Sequence, residues 1–150
     1  MALRFIAACL AAVVLLQPGS ATAEEGTLVL ETASGSHQYS VEIADTEVKR
    51  ARGLMFRRSL PKRGGMIFLY DQPQAIGMWM RNTYIPLDMV FIAADGTVHR
   101  VETNTEPFST DIIDSGGAVV AVLELNAGEA NSIGLRPGDR VVFEGLRSAR

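Results

Sequence analysis

Short stretches in which apolar and polar residues alternate recur along the chain. The first two cover residues 27–32 and 38–44, and Ser34-Gly35-Ser36 between them is typical of a turn. Alternation with a period of two places one set of side chains toward a core and the other toward solvent, as in a β-strand. The pattern therefore predicts an opening β-hairpin.

One short segment is better suited to a helix than to a strand. Asp45 is a residue type favoured at a helix N-cap, and Gly53 can adopt the left-handed conformation that ends a helix. The intervening residues 46–52 carry a basic face that is most simply exposed to solvent. We therefore expect one short helix here.

The middle of the chain returns to the strand pattern. Turn signals at Asp71-Gln72-Pro73 and at Asp95-Gly96 each separate two such runs, and the second is a strong hairpin signal. Four further strands are predicted, over residues 66–70, 75–80, 87–93 and 97–102.

The last third of the chain contains a long irregular segment and then two more strands. Residues 103–117 show no periodicity and predict a long surface loop. Residues 118–125 are apolar on both faces up to Glu124, as in a central strand, and residues 140–144 complete the sheet. Together the elements predict an all-β domain, a sandwich or barrel with one short helix.

The first 23 residues have the anatomy of a secretory signal peptide. Arg4 precedes an apolar run over residues 5–16, followed by Pro18-Gly19 and then by Ala21-Thr22-Ala23. The run is shorter than the roughly 20 residues that span a membrane. We expect cleavage after Ala23, release of a single domain over residues 24–150, and a periplasmic or secreted location without membrane attachment.

Cleavage also changes the chemistry that the chain can offer. It removes Cys9, the only cysteine, which leaves the exported protein without disulfides, thiolate metal ligands or a cysteine nucleophile. It removes Arg4 as well and leaves 13 basic and 17 acidic side chains, a net charge near −4. Nucleic acid and anionic membranes are therefore poor partners, and a small molecule or a protein is expected instead.

Residues 53–92 have the most unusual composition, with five of the six methionines and the only tryptophan. Thioether sulfur is a preferred ligand of Cu(I), so an exported copper carrier is one alternative. Core packing is the other explanation, because methionine is a flexible filler of cores, and under it no cofactor is expected. The sulfurs concerned are those of Met55, Met66, Met78, Met80 and Met89.

Four ordered stretches resemble a known family. They are GLMFRRSL at 53–60, GMIF at 65–68, MWMRNTYIPLDMVFI at 78–92 and VLELNAG at 122–128, and they resemble the small exported proteins of domain of unknown function family 192. The resemblance implies a compact β-sandwich of jelly-roll type. It implies no reaction, cofactor or catalytic residue.

Asp88 is the most conspicuous polar residue in these stretches. Strand alternation places it with Val90 and Ile92, opposite Leu87 and Met89. A buried carboxylate must be paired, hydrogen-bonded or protonated, so Asp88 is either structural or a functional acid. A structural Asp88 would pair with an arginine or accept backbone N–H groups. A hydrolase would instead use it with a second carboxylate, for which Asp111, Asp114 and Glu124 are the candidates.

The segment after Trp79 combines aromatic, guanidinium and amide groups before Pro86, which suits contact with a sugar or peptide. The chain is therefore interpreted as an exported, non-catalytic binding or accessory module. Its candidate ligand site consists of Arg57, Trp79, Arg81, Asn82, Tyr84 and Asp88.

Overall fold

The computed structural model describes residues 24–149, so the predicted signal peptide lies outside the described residues. Within them, no helix is long and apolar enough to cross a membrane. The helices are α1 (Glu47–Arg52), α2 (Glu129–Ser132) and a 3₁₀ helix (Glu144–Ala149). The strands are β1 (Glu25–Thr32), β2 (Gly35–Ala44), β3 (Gly64–Met78), β4 (Leu87–Ile92), β5 (Val98–Glu102), β6 (Ile113–Asn126) and β7 (Arg140–Val142).

All seven strands belong to one curled sheet with the order β5-β4-β6-β3-β2-β1-β7. Neighbours are antiparallel except β2 and β3, which run parallel. Backbone hydrogen bonds bring the two ends of the sheet together: Val98 N–H donates to the Asp139 carbonyl and Val141 N–H to the Gly96 carbonyl, each at 2.8 Å. The all-β prediction is confirmed. The jelly-roll sandwich is not confirmed, because strand pairing produces a single sheet.

The sheet buries side chains on both faces. The inner core receives residues from every strand, and alternation places Ile67, Val90 and Leu123 there. The outer core covers β3, β4, β6 and the end of β2, and is enclosed by the chain between β2 and β3 and by the segment between β3 and β4. Its buried members are Ala44, Leu54, Leu60, Met66, Phe68, Ile76, Met78, Met80, Leu87, Met89, Phe91, Val119 and Val122.

Several strand predictions are confirmed. Strands β1 and β2 pair as the opening hairpin, and β4 and β5 pair around Asp95-Gly96. Strand β6 lies between β3 and β4, as its two apolar faces predicted. Helix α1 also forms and ends at Gly53, but Thr46 rather than Asp45 caps it, because the Thr46 side chain accepts the Lys49 N–H.

Three expectations were wrong. Residues 71–73 are not a turn: β3 runs through them, and an irregularity in the pairing with β6 between Leu69 and Gln74 accommodates Pro73 without loss of a ladder hydrogen bond. The loop after β5 is shorter than predicted, since β6 already begins at Ile113. The single predicted helix is joined by α2 and the 3₁₀ helix, which are too short to produce a periodic apolar pattern.

Candidate functional site

A pocket of about 270 Å³ lies between α1 and the outer face of the sheet. Each of the four stretches that carry the family resemblance contributes to its lining. The first provides Leu54 and Met55, the second Phe68, the third Trp79 and Arg81, and the fourth Glu124. Segments that are up to 70 positions apart in the chain therefore converge on one cavity.

Gly53 allows the first stretch to reach the pocket. Its backbone is left-handed, with φ of 48°, and its N–H donates to the Lys49 carbonyl at the end of α1. A β-carbon at this position would lie 3.1 Å from the ring of Phe68, so a larger residue would be strained and crowded. Glycine thus lets the chain turn directly over the pocket wall.

Trp79 and Arg81 lie at the mouth of the pocket. Just past the end of β3 the chain still alternates: Met78 and Met80 are buried in the outer core, and the Trp79 indole between them is 43 % exposed. The Arg81 guanidinium carbon lies 5.2 Å from the centre of the indole, which is a cation–π distance. The mouth therefore combines a flat apolar surface with a positive charge.

Glu124 is the buried acid of the pocket. It is only 4 % exposed, and its cross-strand neighbours on β3 and β4 are Met66 and Met89. No residue in the described part of the chain forms a hydrogen bond or salt bridge with its carboxyl group. Burial raises the pKa of Glu124 to about 8, so the group is largely neutral near pH 7.

Tyr70 and Arg50 form a fixed wall beside this acid. The Arg50 guanidinium lies 5.1 Å from the centre of the Tyr70 ring and donates to the carbonyls of Asp45 and Leu69, each at 2.8 Å. Burial raises the pKa of Tyr70, the Arg50 charge opposes this, and the Glu124 charge adds to it. These interactions place Tyr70 within electrostatic range of both charged groups.

Asp88 lies on the opposite face of the sheet from Glu124. It is fully buried, and its two carboxylate oxygens accept the backbone N–H groups of Asn104 and Ala130, each at 2.9 Å. It thereby holds the loop after β5 and the first turn of α2. Among the alternatives for Asp88, the structure shows backbone N–H acceptance and no pairing with an arginine.

The remaining candidate residues do not line the pocket. Arg57 donates two hydrogen bonds to the Glu42 carboxylate. Asn82 has a left-handed backbone with φ of 55°, and its carbonyl accepts the Phe56 N–H. Tyr84 is 40 % exposed and contacts Phe56 and Phe108 in a surface cluster of aromatic rings. Of the six predicted residues, only Trp79 and Arg81 line this pocket.

Most of the methionines are buried. Met66, Met78, Met80 and Met89 belong to the outer core, and the Met80 sulfur accepts a hydrogen bond from the Thr105 hydroxyl at 3.2 Å. Met55 is half-buried and lines the pocket together with Met78. Within residues 24–149, no three His, Cys, Asp or Glu side chains are grouped closely enough to hold a metal ion.

Sequence reasoning had considered Glu124 only as a partner for Asp88. The available signal was its position, a single acid at the end of the apolar run from residue 118. Phe68, Tyr70 and Arg50 had no distinguishing signal, because the pocket that unites them is a product of tertiary packing.

Comparisons with known proteins agree with the resemblance noted in the sequence. The model of family DUF192, described as an uncharacterized ACR, matches residues 29–143. A structure from Sinorhizobium meliloti 1021, named as a candidate transcription regulator, is 44 % identical, with a TM-score of 0.81 over 85 % of this chain and 99 % of that one. A protein of unknown function from Novosphingobium aromaticivorans DSM 12444 is 38 % identical, with a TM-score of 0.79 over 84 % and 89 % of the two chains. The comparison with curated proteins gave no match. The chain belongs to the DUF192 family.

Proposed function

We propose that this protein is an exported, non-catalytic module that binds a small molecule in the pocket between α1 and the sheet. The observation that carries the proposal is the convergence of all four family-like stretches on this one cavity. Apolar walls with a few polar groups at defined positions are the usual composition of a small-molecule site. Trp79 and Arg81, two of the predicted site residues, are at its mouth, while Glu124 replaces Asp88 as its acid.

The geometry supports binding more than hydrolysis by Asp88. A general acid or base must reach its substrate, yet Asp88 is buried on the inner face and both of its oxygens already accept N–H groups. The pocket instead offers a concave surface whose lining includes the carboxyl group of Glu124. These are properties of a recognition site.

A Cu(I) carrier is the second candidate. Met55 and Met78 line the same pocket as Glu124, so two thioether sulfurs and a carboxyl group border one cavity. Soft sulfur ligands favour Cu(I) over harder ions. Copper therefore belongs among the ligands to be tested at this site.

Trp79 fluorescence provides the test, because this single tryptophan lies at the pocket mouth. The purified protein is titrated with sugars, amino acids, organic acids, short peptides and, without oxygen, Cu(I). We expect a saturable change at one equivalent for one of these classes. Ala51→Phe, which places a ring on a pocket-lining position of α1, should weaken it at least tenfold.

Val48→Phe is the matched control, because Val48 is on the same helix, is 80 % exposed and does not line the pocket. It should bind as the unchanged protein does. Equal binding by both variants would place the ligand elsewhere and contradict the proposal. Saturation by Cu(I) alone, lost in Met78→Leu, would favour the copper carrier.

Export is part of the proposal and has its own test. The anatomy of residues 1–23 supports it. Expression of the full chain in a Gram-negative host should yield a mature protein beginning at Glu24 in the periplasm or the medium, as read by mass spectrometry of each fraction. An uncleaved chain in the cytoplasm would contradict export.

A further inference from the structure

The charges around the pocket specify a ligand more narrowly than its volume does. We propose that the pocket takes a small zwitterion of amino-acid size, with its ammonium group on Glu124 and its acidic group at Arg81. This inference rests on the proposed function, since it names the ligand of the same site. Three observations support it: the unpartnered acid, the aromatic wall beside it and the basic mouth.

The first observation is that the acid lacks a partner. Glu124 is 96 % buried, yet no described side chain or backbone group donates a hydrogen bond to its carboxyl group, and the group borders the cavity. No described side-chain nitrogen or oxygen is both closed off from solvent and without a partner, so the Glu124 carboxyl group, which has no bond to the protein, is open to the cavity. A ligand group that enters the pocket would provide the missing partner.

The second observation identifies this ligand group as a cation. The pocket surface contains the rings of Phe68 and Tyr70 and the thioether of Met78. Aromatic faces attract ammonium groups, and a carboxylate forms a stronger hydrogen bond with a cationic donor than with a neutral hydroxyl. An ammonium group would thus complete both the charge and the hydrogen bonds of Glu124.

The third observation is that the mouth of the pocket is positively charged, which disfavours a ligand that is only a cation. Arg52 and Arg81 line the pocket from the end of α1 and from the segment after β3. Arg50 adds a third positive charge, and Glu47 is the only other acid in the lining. A ligand whose outer end is negative would be attracted there, because guanidinium groups bind carboxylates in a two-pronged geometry. A zwitterion satisfies both ends.

The size of the cavity agrees with this class. At about 270 Å³ it is slightly below the range of roughly 300–1,000 Å³ for sites of drug-sized ligands. The expected ligand is therefore the size of a single amino acid, not of an oligosaccharide or a long peptide.

Binding of a zwitterion has a proton signature. A neutral Glu124 must lose its proton to pair with the ammonium group, so the neutral carboxyl and the ammonium become a carboxylate–ammonium pair and one proton passes to the buffer. The other titratable groups that face the cavity are Arg50, Arg52, Arg81, Glu47 and Tyr70, and burial raises the pKa of the Tyr70 hydroxyl. Below about pH 8 the affinity should therefore increase with pH.

Calorimetry of the purified protein tests this proposal. The probes are the unbranched amino acids from glycine to 6-aminohexanoate, together with butylamine, butyrate and glucose, at pH 7 in two buffers that differ in ionisation enthalpy. We expect one amino acid to bind at least tenfold more tightly than butylamine or butyrate. The buffer difference should report the release of close to one proton per site.

Two variants test the two proposed ligand contacts separately, one at Glu124 and one at Arg81. Glu124→Gln keeps the shape of the neutral acid, and should weaken binding at least tenfold and abolish proton release. Arg81→Gln should also weaken binding at least tenfold. Arg58→Gln is its matched control, because Arg58 is also an exposed arginine over an aromatic ring, 5.5 Å from the centre of Tyr84, but outside the pocket.

The outcomes distinguish this proposal from the proposed function. Failure of every amino acid to bind with proton release, or equal binding by Glu124→Gln, would overturn the zwitterion. If glucose or Cu(I) then bound in a manner blocked by Ala51→Phe, the pocket would remain a binding site for another ligand. If no probe class bound at all, both the zwitterion and the small-molecule site would be contradicted.

Discussion

Two buried acids on neighbouring strands differ in how the fold treats them. Asp88 is on β4 and Glu124 is on β6, and in the pairing of these strands Glu124 is opposite Met89, the residue next to Asp88. Asp88 faces the inner core and receives two backbone N–H groups. Glu124 faces the outer core and has no partner among the described residues. One sheet thus holds an acid bonded to the protein on one side and an acid that faces a cavity on the other.

The number of hydrogen-bond partners distinguishes a structural buried acid from a candidate functional one. A buried carboxylate that accepts two N–H groups connects distant segments and stabilises them. A buried carboxyl group without partners destabilises the fold when it ionises, and such local departures from a consistent design are most often functional sites. Both acids are almost fully buried, so they differ in their hydrogen-bond partners and not in their burial.

The largest predicted effect is the loss of Asp88. In Asp88→Ala the N–H groups of Asn104 and Ala130 lose their acceptor, and each charge-assisted hydrogen bond contributes about 1.5–3 kcal/mol. We therefore expect the free energy of unfolding to fall by roughly 3–6 kcal/mol, as measured by urea denaturation.

Asp95→Ala is the control for this prediction. Asp95 also accepts a backbone N–H group, from Thr97, but it is exposed in the turn between β4 and β5. Water replaces the lost acceptor there, so the cost should be about 1 kcal/mol or less. Similar losses in both variants would mean that Asp88 does not hold the structure together as its contacts indicate.

The second prediction concerns Glu124 and pH. Its pKa is about 8 in the folded protein and 4.5 without burial, so between these values the folded state binds a proton that the unfolded state has lost. The contribution of Glu124 to the free energy of unfolding should be greatest below about pH 4.5, decrease as the pH rises, and level off above about pH 8. Glu124→Gln cannot ionise, so it should lack this decrease.

Urea denaturation at pH 5 and pH 8.5 measures the effect. The two proteins should be nearly equal at pH 5, and at pH 8.5 the Gln variant should be more stable by a few kcal/mol, on the order of 1.4 kcal/mol for each unit of pKa shift. Asp88 and the arginines of the pocket are present in both proteins, so their contributions cancel. An equal pH dependence would show that the pKa of Glu124 is not raised in the folded protein and would contradict this prediction.

Local pattern was sufficient to predict most of the fold. Alternation identified the strands, and the Asp95-Gly96 turn identified the β4–β5 hairpin, because both signals act within a few residues. The turn predicted at Pro73 was wrong for the same reason: the signal is local. A proline is a turn signal locally, but here the pairing irregularity between β3 and β6 absorbs it, and that depends on a strand 40 positions away.

The candidate site was predictable only in part. An exposed Trp79 between two buried methionines follows from strand alternation, and Arg81 follows two residues later at the same pocket. The sequence could not predict that Glu124 has no partner among the described residues. That depends on where all the other segments lie in the folded protein. The partners of Asp88 were equally hidden from the sequence, since they are backbone groups of a remote loop and of helix α2.

The smallest predicted effect tests whether the outer core is otherwise ordinary. Met89 is fully buried beside Glu124, and leucine has nearly its volume, so Met89→Leu should change the free energy of unfolding by less than about 1.5 kcal/mol. Leu125→Met makes the reverse exchange on the inner face, where Leu125 is also fully buried, and should have a similarly small effect. Denaturation at pH 5 compares them while Glu124 is neutral in both. A loss above roughly 2 kcal/mol for Met89→Leu alone would show that the thioether makes a specific interaction that a core filler does not. The asymmetry between the two faces would then extend from the acids to the sulfurs around them.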